Sequence, residues 1–355
     1  MPIRLRSNFF EDFQLGRIFD HATPRTLTEA DQSLYISLAG SRTPLSSAAT
    51  IAERAGFSHR PLEDLLIFNT AFGKTVPDIS LNAVANLGYA ETRFLAPVYS
   101  GDTISVRSEV IGLKETSNRK AGVVYVRSDA RNQHDRTVLT WVRWVMVHKR
   151  DAASPMPAAV IPDLQSSVSA SEIAKDMLPK HAQPIFDATG SQAEWADFLP
   201  GTRIDHPCGM TINDSDHSSA TRLYQNTARG HFDARLMAQS AQAGRLVYGG
   251  HVISLCRSLS YDGLENASCL MAINGGRHVA PAFAGDTIYC TTMVLEQMDI
   301  GNAEFGALRL RTIGAKNIER AEDIAYPSQN MPGQYSQNTI LDLDYTVAFP
   351  RKKNR

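Results

Sequence analysis

Asp12-Phe13-Gln14-Leu15-Gly16-Arg17-Ile18-Phe19-Asp20-His21 is answered 185 residues later by Asp197-Phe198-Leu199-Pro200-Gly201-Thr202-Arg203-Ile204-Asp205-His206. Both stretches read Asp-Phe-x-x-Gly-x-x-x-Asp-His. Further on, Arg93-x-x-Ala96-Pro97-x-x-x-Gly101-Asp102-Thr103-Ile104 returns 184 residues later as Arg277-x-x-Ala280-Pro281-x-x-x-Gly285-Asp286-Thr287-Ile288. Two sets of matches that slip by one position over that distance mark a duplicated domain. The chain therefore divides into a first copy (1–150), a linker (151–192) and a second copy (193–355), which suits two domains in a chain of 355 residues.

Each copy runs in the same order. An opening segment ends in a Thr/Asp-rich helix start, and helical stretches and then strands follow. Leu62–Val76 (LEDLLIFNTAFGKTV) is apolar on most faces, as a buried helix must be, and Tyr248–Tyr261 is its counterpart. Strands are expected at Thr103–Leu113, Gly122–Ser128 and Val138–Val147, and again at Thr287–Leu295, Phe305–Ile313 and Ile340–Ala348. One buried helix followed by long antiparallel strands, twice over, is an α+β fold with a sheet wrapped round each helix. The Ala/Ser/Pro-rich linker predicts one short helix at Ala170–Asp176. Asn317–Gln337 lacks a counterpart in the first copy and reads as a surface loop.

Composition narrows the function. Lys+Arg of 36 against Asp+Glu of 37 gives no basic surface for nucleic acid. Met1–Phe10 lacks the apolar core of a signal peptide, and no apolar run suggests a membrane span, so a cytoplasmic protein is expected. Cys208, Cys256, Cys269 and Cys290 contain no C-x-x-C pair and read as buried, reduced thiols, with no metal site.

Chemistry is sought where the copies differ. In the helical region Asp31 aligns with Asp216, Ser41 with Asn226, Ser46 with His231 and Arg60 with Arg245. Only the second copy has Asn226-Thr227-x-x-x-His231-Phe232-Asp233. A histidine moves protons near neutral pH, and an asparagine holds a hydroxyl or water without being a base. Tyr248-Gly249-Gly250-His251 likewise replaces Glu63-Asp64-Leu65-Leu66 at the start of the central helix. Glycines there admit a ligand to free N–H groups, either as an oxyanion hole or simply as a packing turn. Arg222, Arg229, Arg245 and Arg277 are the cations of the second copy. Arg229 aligns with Pro44 and is the better candidate for an anionic group, whereas Arg277 repeats Arg93. His21 and His206 recur in both copies beside Asp20 and Asp205 and belong to the fold.

The repeat with its Pro-x-x-x-Gly-Asp-Thr turns resembles the double hotdog fold of MaoC-like (R)-specific enoyl-CoA hydratases. That family's Gly-Asp-x-Asn-Pro-x-His signature carries a catalytic Asp and, five residues on, a catalytic His. His231 matches the His, Asn226 stands in place of the Asp, and Gln225, Ala228 and Arg229 replace the Gly, Asn and Pro. Longer runs resemble the mesaconyl-CoA hydratase (β-methylmalyl-CoA dehydratase) subfamily, which carries Asn-Thr-x-x-x-His-Phe. These are Phe72–Tyr89, Trp141–Val147, Ala220–Arg229 with His231-Phe232, and Tyr248–Leu255.

The resemblance implies a hydro-lyase that reversibly dehydrates β-methylmalyl-CoA to mesaconyl-CoA. Its substrate is an acyl-CoA thioester, and it has no metal or redox cofactor because the thioester acidifies the α-proton. His231 is then the proton-transfer residue and Asn226 the holder of hydroxyl or water. Asp216 or Asp233 supplies a carboxylate, Gly249, Gly250 and His251 form the oxyanion and substrate-binding turn, and Arg222 or Arg229 pairs with the substrate carboxylate. The degenerate first copy lines the acyl and CoA tunnel, and a homo-oligomer, a dimer, is expected. Two rival readings are a hydratase for another short-chain enoyl-CoA and a non-catalytic acyl-CoA-binding hotdog.

Overall fold

The copied motifs become turns. Gly16 and Gly201 sit at φ +76° and +89°, and Gly101 and Gly285 at +98° and +93°, the left-handed region that side chains avoid. In the Gly-Asp-Thr turns the aspartate locks the bend. Asp102 accepts the Tyr99 N–H at 2.9 Å, and Asp286 accepts the Phe283 N–H at 2.8 Å. The recurring histidines are also structural. The His21 ring bonds Ser108 (2.8 Å), which bonds Ser128 (2.6 Å), while His206 bonds Thr292 and Thr292 bonds Thr312, both at 2.8 Å.

A computed structural model describes residues 7–155, 157–327 and 333–352. The first copy contains β1 (Ile18–Thr26), α1 (Glu29–Ala39), α2 (Pro44–Ser47), α3 (Ala49–Arg54), α4 (Asp64–Thr75), β2 (Ala83–Phe94), β3 (Thr103–Glu115), β4 (Ala121–Arg131) and β5 (Thr137–His148). After α5 (Gln183–Thr189) the second copy gives β6 (Arg203–Asp205), β7 (Met210–Thr211), α6 (Asp214–Leu223), α7 (Ala234–Met237), α8 (Gly249–Leu259), β8 (Leu270–His278), β9 (Thr287–Met298), β10 (Phe305–Lys316) and β11 (Thr339–Pro350). The strands make a single antiparallel sheet in the order β1-β3-β4-β5-β2-β8-β11-β10-β9-β6, with β7 beside β9. Each half of this sheet wraps one long helix, α4 or α8, as the double hotdog expectation requires.

The central helices are hydrophobic for a reason. Every residue of α4 from Leu65 to Thr75 is buried, and so is most of α8. Side chains such as Leu66 and Phe68 contribute about 1.5–3 kcal/mol each on burial. The copies meet where β2 pairs with β8, Tyr89 opposite Gly276 and Arg93 opposite Ala272.

The linker is less independent than its composition suggests. The helix expected at Ala170–Asp176 is two 3₁₀ turns, Ala170–Glu172 and Lys175–Met177, and α5 follows it. Val168, Ile173, Met177, Leu178 and Ile185 enter the same core as α4 and α8. Buried apolar anchors thus override the Pro and Ser content. The expected surface loop at Asn317–Gln337 carries one 3₁₀ turn, Ala321–Asp323, and its residues 328–332 lie outside the described residues. Cys256, Cys269 and Cys290 are buried as expected, but Cys208 is exposed. Among the described residues no helix is long and apolar enough to cross a membrane.

Candidate active site

The second-copy segment between α6 and α8 is a tight loop. Gln225 takes a positive φ (+51°) and turns the chain off the end of α6. Asn226 follows, buried, its amide oxygen accepting the Ala228 N–H at 3.0 Å. A 3₁₀ turn over Arg229–His231 then delivers the histidine. His231 Nδ1 lies 3.0 Å from the Leu246 carbonyl oxygen. A carbonyl only accepts, so Nδ1 carries the proton and Nε2 presents its lone pair. Burial of the ring holds the His231 pKa down to about 4, the Leu246 bond opposes that, and the nearby His217 adds to it. The residue keeps partial access to solvent. At neutral pH it is an unprotonated, oriented base.

Tyr248 stands against this imidazole, ring centroids 5.5 Å apart, and opens α8. The N–H groups of Gly249 and Gly250 have no backbone acceptor among the described residues, as expected of a first helical turn. Both glycines also answer to packing. A Cβ on Gly250 would collide with the Asn69 side chain, whose Nδ2 donates to the Gly250 carbonyl (3.3 Å) and to Ser254 Oγ (3.2 Å). A Cβ on Gly249 would collide with the His278 ring. The two readings of the Gly-Gly turn are therefore compatible: close packing demands glycine, and the same backbone leaves two donors free.

His278 was not singled out from the sequence. Its Nε2 meets the Tyr89 hydroxyl at 3.1 Å, and its pKa falls to about 4 through burial and then through His231. A signal existed, since at the 184-residue offset His278 replaces Phe94. Tyr89 and His278, with Trp144, Gly275, Gly276 and Arg277, line a cleft of ≈ 770 Å³ at the β2–β8 seam, a size that suits a substantial ligand.

The first copy supports the loop from below. Gly73 of α4 packs so closely that a Cβ there would strike the Tyr224 carbonyl oxygen and crowd the Asn226 N. Lys74 Nζ donates to the Gln225 side chain, and Arg25 donates to the Leu223 carbonyl. The corresponding place in the first copy is occupied by its own side chains. Ser46 donates to Glu63 Oε1 at 2.7 Å, and Ser41 donates to the same oxygen.

Other expected residues are placed elsewhere. The Asp216 carboxylate accepts from Asn213 Nδ2 (2.7 Å) and Ser215 Oγ (3.0 Å) at the start of α6. Burial pushes its pKa up, and those bonds outweigh the burial and leave it below the ordinary value. Asp233 caps α7 by accepting the Leu236 N–H at 2.9 Å. Neither carboxylate bonds to His231 or Asn226, and the reason is positional: each completes a helix N-terminus. His251 is buried within electrostatic reach of His217 and Asp216 on α6, and burial holds its pKa down to about 4. Arg222 is exposed with Nε turned back to the Ser218 carbonyl (3.3 Å), and Arg229 is exposed. Arg245 pairs with Asp214 as Arg60 pairs with Glu29, a shared feature of the fold. No three His, Cys, Asp or Glu side chains among the described residues are grouped to hold a metal ion.

Three histidines whose pKa is held near 4, His231, His251 and His278, make stability pH-dependent. Their unfolded value is about 6.5, so the unfolded chain binds more protons below that pH. The stabilisation from keeping them neutral is complete above pH 6.5 and is lost as pH falls towards 4, by up to about 1.4 kcal/mol per unit for each fully unmatched proton. Thermal melts should hold level from pH 8 to 7 and drop steadily between pH 6.5 and 4.5. A level Tm across that lower window would contradict these environments.

A sequence model of the mesaconyl-CoA hydratase family matches residues 2–325. The chain is 49% identical to a β-methylmalyl-CoA dehydratase of Chloroflexus aurantiacus, covering 97% of each chain. It is 46% identical to a mesaconyl-CoA hydratase of Cereibacter sphaeroides, covering 97% of this chain and 98% of that one. A crystal structure described as a putative MaoC domain protein dehydratase from Chloroflexus aurantiacus superposes with a TM-score of 0.93, at 48% identity and 99% coverage of both chains. With the single sheet wrapped round two central helices and the Asn226–His231 loop in the second copy, these matches establish that the chain belongs to the mesaconyl-CoA hydratase family.

Proposed function

We propose that this protein is a hydro-lyase that interconverts β-methylmalyl-CoA and mesaconyl-CoA. The observation that carries the reading is the fixed tautomer of His231, with Nδ1–H tied to the Leu246 carbonyl and Nε2 left as a base. In the dehydrating direction His231 Nε2 takes the proton from the carbon α to the thioester. The thioester oxygen gains negative charge and is received by the free N–H groups of Gly249 and Gly250. Asn226 holds the β-hydroxyl. The imidazolium, a good acid because burial disfavours its charge, returns the proton to that hydroxyl as it leaves. Water departs, one double bond forms, and the histidine ends as it began. One proton carrier closes the balance, which accounts for a site whose carboxylates, Asp216 and Asp233, serve helix ends. The cleft at the β2–β8 seam accommodates the CoA portion, with Arg277 at its edge for an anionic group. A homodimer is proposed on the resemblance alone, and light scattering would check it.

The test is turnover by the purified protein with product identified by mass spectrometry. Mesaconyl-CoA should gain one water, with kcat/KM above that for crotonyl-CoA, which lacks the second carboxylate. Hydration of crotonyl-CoA with mesaconyl-CoA untouched would replace this reading with that of a general enoyl-CoA hydratase.

A further inference from the structure

Arg143 lies mid-strand in β5 and is wholly buried, its Cζ 4.2 Å from the centroid of the Phe72 ring. Nη2 donates to Thr75 Oγ1 (2.9 Å) and Ser80 Oγ (3.3 Å). Nε and Nη1 are buried and find no hydrogen-bond partner among the described residues. Burial lowers its pKa to about 10, the tyrosines Tyr89 and Tyr248 oppose that, and the guanidinium stays charged at neutral pH. Arg309 and Arg311 show the usual solution, each bidentate to a carboxylate, Asp344 or Asp342. No acidic side chain among the described residues does this for Arg143. The Phe72 ring offsets part of the charge but offers Nε and Nη1 no acceptor. A buried cation without an anion is heavily penalised and calls for an explanation.

A second orphaned donor lies beside it. The Tyr248 hydroxyl is buried and unbonded, and burial keeps its proton firmly in place. The Tyr248 ring packs against Phe72 (5.8 Å) on one side and His231 (5.5 Å) on the other. One donor from each copy thus lacks an acceptor, and both side chains border the Phe72 ring, with Tyr248 lying in turn against the His231 base. We propose that Arg143 and the Tyr248 hydroxyl together receive the free carboxylate of the thioester substrate and so fix the β-carbon beside His231. The inference rests on the dicarboxylic substrate of the proposed function and names the residues that select it. A guanidinium fork matches a carboxylate in shape and charge. A neutral acyl group would leave both donors unpaired, which is how a site rejects a near-isostere strongly.

The experiment compares mesaconyl-CoA with 2-methylcrotonyl-CoA, in which a methyl group replaces the carboxylate. In Arg143→Met the ratio of their kcat/KM values should fall at least about 100-fold, as for loss of a buried charge-assisted pair, and in Arg143→Lys or Tyr248→Phe by roughly 10-fold. An equal fall on both thioesters would overturn the receptor while leaving the proposed function standing. Binding of the unreactive methylsuccinyl-CoA and 2-methylbutanoyl-CoA to the wild-type protein, read by thermal shift, needs neither turnover nor a folded variant. A wild-type preference for the diacid thioester upholds the receptor even if mesaconyl-CoA is not hydrated, an outcome that would overturn the function alone. No preference overturns the receptor.

Discussion

Purified His231→Ala protein should lose about 10³-fold in kcat with mesaconyl-CoA, within the range for removing a positioned general acid–base, while remaining folded. The imidazole is partly accessible and makes one hydrogen bond, to the Leu246 carbonyl. Its removal should therefore cost only about 1 kcal/mol of stability. His231→Gln separates the two roles, because it can keep a donor near Leu246 yet has no basic nitrogen. Both variants should be equally inactive at closely similar Tm. The wild-type acid limb of kcat/KM should also fall well below pH 6.5, since the group sits at about 4. Near-normal turnover by His231→Ala would move the chemistry elsewhere, and His278 would be the first residue to try.

Gly73→Ala should be the most damaging change far from the reacting atoms in sequence. The new methyl would meet the Tyr224 carbonyl and crowd the Asn226 N. Backbone on both sides has little room to yield, so overpacking of about 1–3 kcal/mol is expected. The relief available is a shift of the Tyr224–Asn226 segment, which carries the Asn226 side chain with it. A displacement near 1 Å at a reacting group costs on the order of 10² in rate. We therefore expect kcat to fall about 100-fold together with a drop in Tm, although residue 73 belongs to the copy without the base. Gly244→Ala, whose Cβ would find only ordinary contact with Phe283, is the control and should change neither. Full activity in a destabilised Gly73→Ala would show that the loop tolerates movement.

The sequence revealed the outer strands and the two central helices more readily than the seam. β3, β5, β9 and β11 alternate or run β-branched, whereas β2 and β8 carry Gly88, Gly275 and Gly276 and few β-branched residues. Two of those glycines, Gly88 and Gly276, are seats for aromatic rings. Trp144 fills the space over Gly88 and Tyr89 that over Gly276. Such a requirement comes from a partner strand and is invisible to local patterning. In the candidate site, His231, Asn226 and the Gly249-Gly250 turn stand out in the sequence because they break the repeat. His278 breaks it too, but at the end of strand β8, away from the helical region that holds the other breaks. Arg143 escaped for the opposite reason. It is polar in the first copy, whereas the matching strand position of the second, set by Tyr89 opposite Arg143 and Ile273 opposite Tyr345, holds a tyrosine. Asp216 stands in the first turn of α6, bonded to Asn213, as its repeat partner Asp31 closes the capping box of α1.

The contact of Gly73 with the Tyr224 carbonyl has a consequence for the protein's ancestry. At the 185-residue offset Gly73 corresponds to Ser258. Were two copies of the second repeat to pair as a symmetric dimer, a serine would face that carbonyl at both positions. A gene encoding one repeat places the same residue at both positions, whereas the fused chain places Gly73 at one and Ser258 at the other. In the fused chain one copy cradles the loop and the other carries the histidine. Severing the chain in the linker and mixing the halves should thus restore turnover only in the heterologous pair, never in either half with itself.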